Sequence, residues 1–407
     1  MSDRRSLILL PNLRARRTAE RRVVLTRKFV EGMDAFVRGW DGPVLALMEP
    51  RDEATDNLDE VAVDPRELDF EVDVLSYDAP ELGPRLAQGA VVLGGLGYRQ
   101  NHVARLARAV GTPLVYGAEY TLKTRIQIAR ANGDGMLPTT RRIAWEWRQE
   151  RAQRAALSRA SGLQCNGTPT FEEYADWAPR PLLFFDSRTT ADLLATLEEQ
   201  RERAARLRSG EPLHLAFSGR LNRMKGADHL VPLAAELRKR GVAFRFTIFG
   251  DGELLESMRA EVAHLGLNDL VELPGSVDYR TELVPRVRRE VDLFVCAHRQ
   301  GDPSCTYVET LACGVPIAGY ANEALAGILR RVEVGTAVAL NDARALADEL
   351  ERLATRDRER LVAWSDRALS FAERHTFAAT FAERIAHLER VVEETSAKAG
   401  RRPQVSA

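Results

Sequence analysis

The chain's strongest constraint is a rhythm of short apolar runs, each followed by a stretch with apolar residues at helical spacing. In the first half the runs predicted as strands are Ser6–Pro11, Val44–Met48, Phe70–Leu75, Ala90–Leu93, Pro113–Tyr116, Leu163–Cys165 and Leu182–Phe185. Helical spacing fills Thr26–Trp40, Asn101–Val110, Leu122–Ala131 and Thr139–Ser161 between them. A charged stretch, Thr190–Arg208, reads as one connecting helix. The rhythm then restarts with runs at Leu213–Phe217, Phe244–Phe249, Val271–Leu273, Asp292–Ala297, Val315–Gly319 and Thr336–Leu340. Strands alternating with helices require a mostly parallel sheet with helices on both faces. The expected fold class is therefore α/β: two Rossmann-like, doubly wound domains facing across a cleft. The expected boundaries are 1–187 for the first domain and 188–358 for the second. Two helices over 359–395 are expected to pack back on the first domain, followed by a disordered tail over 396–407.

Composition narrows the class of function. The 407 residues suffice for two cores, and 45% hydrophobic with 29% charged residues is the balance of a globular protein. A formal net charge of −1 argues against nucleic acid as a partner of the whole molecule. No apolar run is long enough to span a bilayer, and the N-terminal run is too short for a secretory signal, so a cytoplasmic location is expected. Cys165, Cys296, Cys305 and Cys313 form no CxxC pair and read as reduced thiols. The basic run Arg14–Lys28 has two readings. One is a solvated loop and helix start; the other is a peripheral contact with an anionic membrane at its inner face.

Chemistry-bearing residues gather where strands end. Ser218–Gly226 (SGRLNRMKG) lies between a strand and a helix, and Gly219 lets the chain leave the strand tightly. Arg220 can grip phosphate oxygens in a fork, and Lys225 adds a compact point charge. Gly250-Asp251-Gly252-Glu253 follows the next strand. Gln300–Ile317 (QGDPSCTYVETLACGVPI) reads as loop, helix and strand, with the helix predicted over Ser304–Cys313. Asp302 before Pro303 suits an N-cap followed by the first helical residue. Backbone N–H groups of Ser304, Cys305 and Thr306 at such a helix start favour an anion, and Glu309 lies within reach of a ribose or sugar hydroxyl.

With these pieces in order, residues 215–354 resemble the donor half of family 4 glycosyltransferases, which have the GT-B fold. The resemblance rests on SGRLNRMKG, FGDGE at 249–253, LPGSV at 273–277, DLFVCA at 292–297 and VETLACGVPI at 308–317. It implies transfer of a sugar from a nucleotide-diphosphate donor to a glycan, lipid-linked or small-molecule acceptor, with retention at the anomeric carbon. By position it gives the diphosphate to Arg220 and Lys225, the ribose to Glu309, and the base to the loop at Ser276 and Val277. Gly219, Gly250, Ser304, Cys305 and Thr306 would complete the donor site.

The pattern departs from the family twice. The family's first Glu, eight residues before Glu309, is replaced by Gly301, beside Asp302. Asp302 is either the helix N-cap or a sugar contact. The family's His after a first-domain strand is replaced by Glu119, which follows Pro113–Tyr116. No D-x-D pair occurs, so no metal and no other cofactor is expected. Arg220, Lys225, Asp302 and Glu119 are the candidates for catalysis. A sugar-nucleotide epimerase and a non-catalytic sugar-nucleotide-binding partner are the alternatives. Trp145 and Trp147 are expected to be packing residues, and His375 a structural one.

Overall fold

In the computed structural model the described residues are 6–18, 20, 22–51, 60–131 and 135–400, and they form two compact units. Unit 1 comprises Met1–Asn166, Thr170–Phe184 and Phe381–Ala407; unit 2 comprises Gly167–Pro169 and Phe185–Thr380.

Ten strands belong to unit 1: β1 (Ser6–Leu10), β2 (Arg16–Arg17), β3 (Val23–Thr26), β4 (Val44–Met48), β5 (Glu60–Val63), β6 (Glu71–Val74), β7 (Gly89–Gly95), β8 (Leu114–Ala118), β9 (Gly162–Asn166) and β10 (Pro181–Phe184). Seven of them make one parallel sheet in the order β10-β9-β8-β7-β1-β4-β6. The central strands are apolar on both faces because helices cover both: Ile8, Leu47, Val92 and Leu163 are all buried. The chain runs outward from β1 in one direction and from β7 in the other, so the strand order reverses between β1 and β7.

Unit 2 repeats the plan with six parallel strands: β11 (Leu213–Ser218), β12 (Phe244–Phe249), β13 (Val271–Gly275), β14 (Leu293–Cys296), β15 (Ile317–Tyr320) and β16 (Gly335–Val338). Their order is β13-β12-β11-β14-β15-β16, which reverses between β11 and β14. In such sheets ligands bind outside the carboxyl ends of the strands at the reversal.

The structure differs from the sequence reading in several places. The stretch Thr190–Arg208 is not one helix: a single turn at Ala191–Leu193 precedes a helix over Leu197–Ser209. The cause is a capping box, in which Thr196 and Glu199 satisfy each other's backbone N–H groups. The basic run Arg14–Lys28 is neither loop nor helix start alone, since its described residues supply β2 and β3 of a small antiparallel sheet completed by β5. Arg17 pairs there with Asp73 at 3.6 Å, and Arg14 with Glu49 at 4.0 Å. Ala19 and Arg21 of the run lie outside the described residues.

The two final helices do not act as one element. Arg358–Glu373 packs within unit 2, on the helices Leu197–Ser209 and Thr306–Ala312, whereas Phe377–Gly400 enters unit 1 from Phe381 onward. There Phe381 meets Phe36 edge to face at 5.1 Å. His387 Nδ1 accepts from the Gln164 amide nitrogen (3.3 Å), and Arg384 donates to the Gln164 amide oxygen (2.9 Å). Residues 396–400 continue this helix where a disordered tail was expected; the rest of that expectation, 401–407, lies outside the described residues. Among the described residues no helix is long and apolar enough to cross a membrane.

Candidate functional site

At the reversal of unit 2, the loop after β11 and the segment after β14 are drawn together by backbone contacts that only glycine permits. Gly226 has φ of +68°, and a Cβ there would run into the Ala297 carbonyl. Gly250, at φ +126°, is pressed in the same way against the Gly219 carbonyl, which joins the loops after β11 and β12. Asn222 accepts the Lys225 N–H at 2.9 Å and closes the turn. From the other side Arg299 donates to the Arg223 carbonyl (2.8 Å) and to Asp228 (3.0 Å). The result is a pair: Lys225 Nζ lies 2.9 and 3.3 Å from the two oxygens of Asp302. Both side chains are less than one-fifth exposed. Arg220, at the mouth of the same loop, is exposed and forms no ion pair among the described residues.

Asp302 is therefore held by Lys225 and is not an N-cap. The helix begins later than the spacing predicts, at Thr306, with Cys305 at the cap position and no side-chain cap bond. Instead the Asp302 carbonyl accepts the Ser304 N–H at 2.8 Å, and the Ser304 hydroxyl meets that of Thr306 at 3.1 Å. A Cβ at 301 would meet the Glu323 carboxylate, so a side chain there requires Glu323 to shift; Glu323 opens the helix Glu323–Arg331 after β15. A carboxylate thus lies beside the position where the family pattern carries Glu, supplied by a different strand end.

Glu309 sits in the first turn of the short helix, its side chain 11% exposed. Arg188 grips it with both prongs, Nε to Oε1 at 2.9 Å and Nη2 to Oε2 at 3.2 Å. The same guanidinium lies 4.2 Å over the ring of Tyr279. Burial opposes the Arg188 charge, but the Glu309 carboxylate outweighs it and holds the pKa above its ordinary value. His298, fully buried after β14, has its Nδ1 3.4 Å from the Tyr307 hydroxyl and its Nε2 without a partner among the described residues. Burial, then the nearby Lys225 charge, keeps it neutral, well below the usual histidine range. Sequence reading missed Arg188, Tyr279, His298 and Glu323; an Arg inside Phe184–Thr189, just past a strand, was the only signal, and it is a weak one.

The remaining expected residues lie further off. Ser276 is exposed and Val277 half-buried after β13, two strands from β11. Cys305 is half-buried, its sulfur 3.9 Å from Asp186. Glu119 belongs to unit 1, where it lines a cavity of about 510 Å³. Trp145 lines that cavity too, packed against Tyr98 and Arg142, whereas Trp147 is 55% exposed and not in the core. His375 is structural as expected, packed between Phe185 and Phe371. Among the described residues no group of three His, Cys, Asp or Glu could hold a metal ion.

Residues 198–370 match the family described as glycosyl transferases group 1. That stretch of unit 2 is similar to a group 1 glycosyltransferase domain. Curated relatives align over a similar share of the chain. One bears the name of a colanic acid biosynthesis glycosyltransferase, WcaL, from Escherichia coli strain K12: 28% identity over 41% of this chain and 42% of that one. Another is the 2-deoxystreptamine glucosyltransferase of Streptomyces kanamyceticus, at 28% over 39% and 40%. The chain thus spans less than half the length of these relatives. Among solved structures, Anabaena HepE in complex with UDP has a TM-score of 0.65 at 13% identity, covering 95% of this chain and 99% of that one. Sucrose-phosphate synthase from Thermosynechococcus elongatus has 0.62 at 15%, over 97% and 100%. At such identities the likeness is one of fold, two parallel-sheet α/β units of the GT-B kind.

Proposed function

We propose that the chain transfers a glycosyl group from a nucleotide-diphosphate sugar to a glycan, lipid-linked or small-molecule acceptor, retaining the anomeric configuration and using no metal. The observation that carries this reading is the Lys225–Asp302 pair at the strand reversal of unit 2. A leaving diphosphate needs positive charge aimed at it as the glycosidic bond breaks, in a site where the charge need not reorganise. Asp302 fixes the Lys225 ammonium in place while leaving it other hydrogens to donate. Arg220 is exposed and can close on the same anion. Glu309, clamped by Arg188, keeps its carboxylate aimed and is the ribose ligand in this reading. The sugar's departure and the acceptor's arrival on one face would account for retention without a covalent intermediate.

UDP is the first probe, since HepE was solved with it. UDP, UDP-glucose, GDP and ADP should be compared by thermal shift on wild type, Arg220→Ala and Lys225→Ala. Each lost charge-assisted bond is worth about 1.5–3 kcal/mol, roughly a 10- to 150-fold weaker dissociation constant. One nucleoside diphosphate should raise the wild-type Tm, and both variants should need correspondingly more of it. A full-strength shift in both variants, with transfer at the wild-type rate, would overturn the assignment.

A further inference from the structure

The cavity of about 510 Å³ in unit 1 opens at the other strand reversal, between β1 and β7: Asn12 follows β1, Gly97 and Tyr98 follow β7, and Glu119 follows β8. Its opposite wall is one face of the long helix Met136–Leu157, presenting Arg142, Trp145, Glu146, Gln149 and Gln153 at helical spacing. Three properties of the lining define what fits. First, Tyr98 and Trp145 form an edge-to-face pair with ring centroids 5.1 Å apart, and Tyr98 is half exposed. Second, the lining cations are already committed. Arg125 donates to Glu146 (2.9 Å) and Glu150 (2.7 Å), and Arg142 donates to Glu146 (2.9 Å) while lying 4.5 Å over Trp145. A phosphate would have to displace a carboxylate that is 3% exposed. Third, Gln153 is 3% exposed, lines the cavity, and leaves its Oε1 with no hydrogen-bond partner among the described residues. A buried carbonyl oxygen in that state awaits a donor.

We infer that this cavity binds an uncharged, hydroxyl-bearing ring, a sugar or cyclitol, with its apolar face on Tyr98 and Trp145 and one hydroxyl donating to Gln153 Oε1. Glu119 at the rim accepts a second hydroxyl. The volume is that of a small-molecule site rather than of a solvent void. The inference deepens the glycosyl-transfer reading and rests on it for one point only, that this ring is the acceptor.

Saturation-transfer NMR on the full chain tests it, with methyl α-glucoside, myo-inositol and glucose 1-phosphate as probes. Wild type should transfer saturation to the two neutral rings and not to the phosphate. Gln153→Met, which removes the oxygen and keeps the shape, should weaken binding at least tenfold without lowering Tm. Tyr98→Ala, at an exposed side chain, should weaken it several-fold. Neither variant should alter the UDP thermal shift. Transfer to neither neutral ring, equal binding in both variants, or preference for the phosphate would each overturn the proposal. Failure of the donor reading would look different: no UDP shift in any of the three proteins, with ring binding untouched.

Discussion

Arg188 and Glu309 are 121 positions apart in sequence and meet as a fork on a carboxylate. Half of that pair was legible: Glu309 stands at a fixed offset before a Gly-Val-Pro strand start, a local pattern. Arg188 was not, because nothing local distinguishes one Arg past a strand end from the others. The same holds for Glu323, whose carboxylate lies against Gly301. If Arg188 acts by aiming Glu309, then Arg188→Met and Glu309→Gln should each weaken nucleoside diphosphate binding about tenfold, and the double variant should be no worse than either single one. Strictly additive losses in isothermal titration would show instead that the two act separately.

The short helix Thr306–Ala312 has seven residues and could not persist alone. Its C-terminal end is held by Arg203, whose fully buried guanidinium donates to the carbonyls of Cys313 (2.9 Å) and Gly314 (2.9 Å). The same group reaches the carbonyls of Val291 (2.8 Å) and Arg288 (2.7 Å). Burial pushes its pKa down to about 10, so it stays charged at neutral pH. Arg203→Met would take a donor from four carbonyls, of which Gly314 keeps the Ser365 hydroxyl at 2.6 Å, and should cost about 3–5 kcal/mol in urea unfolding. Arg203→Lys should not restore it, since an ammonium cannot span the same fork. A loss below about 1 kcal/mol would refute this account. Most elements of this size were legible from period alone. Those that were not owe their form to partners: the break at Leu194–Thr196 to a capping box, and the Arg-rich strand β2, two residues long, to pairing with β3.

Across the molecule the two doubly wound halves were plain in the sequence. The separation of the last two helices was not, since Gln164 and His387 are 223 positions apart and no periodicity records their contact. Stability should depend on pH through His375. Burial first, then the charge of Arg374, lowers its pKa from 6.5 to about 4. A lowered folded-state value means the unfolded chain takes up the proton first. The contribution is therefore whole above pH 6.5 and disappears as pH falls to about 4, amounting to about 2–3 kcal/mol. Urea midpoints at pH 7 and 4.5 should differ less in His375→Phe than in wild type. An unchanged difference would place the pH dependence elsewhere.

The return of the last helix to unit 1 has a consequence in time. On the ribosome, residues up to Phe184 emerge long before Phe381, with the whole of Phe185–Thr380 translated in between. At about 5–20 residues per second that interval is on the order of ten to forty seconds. Throughout it, the ring of Phe36 and the amide of Gln164 have none of their partners on the final helix. The half that is begun first is the half that is finished last.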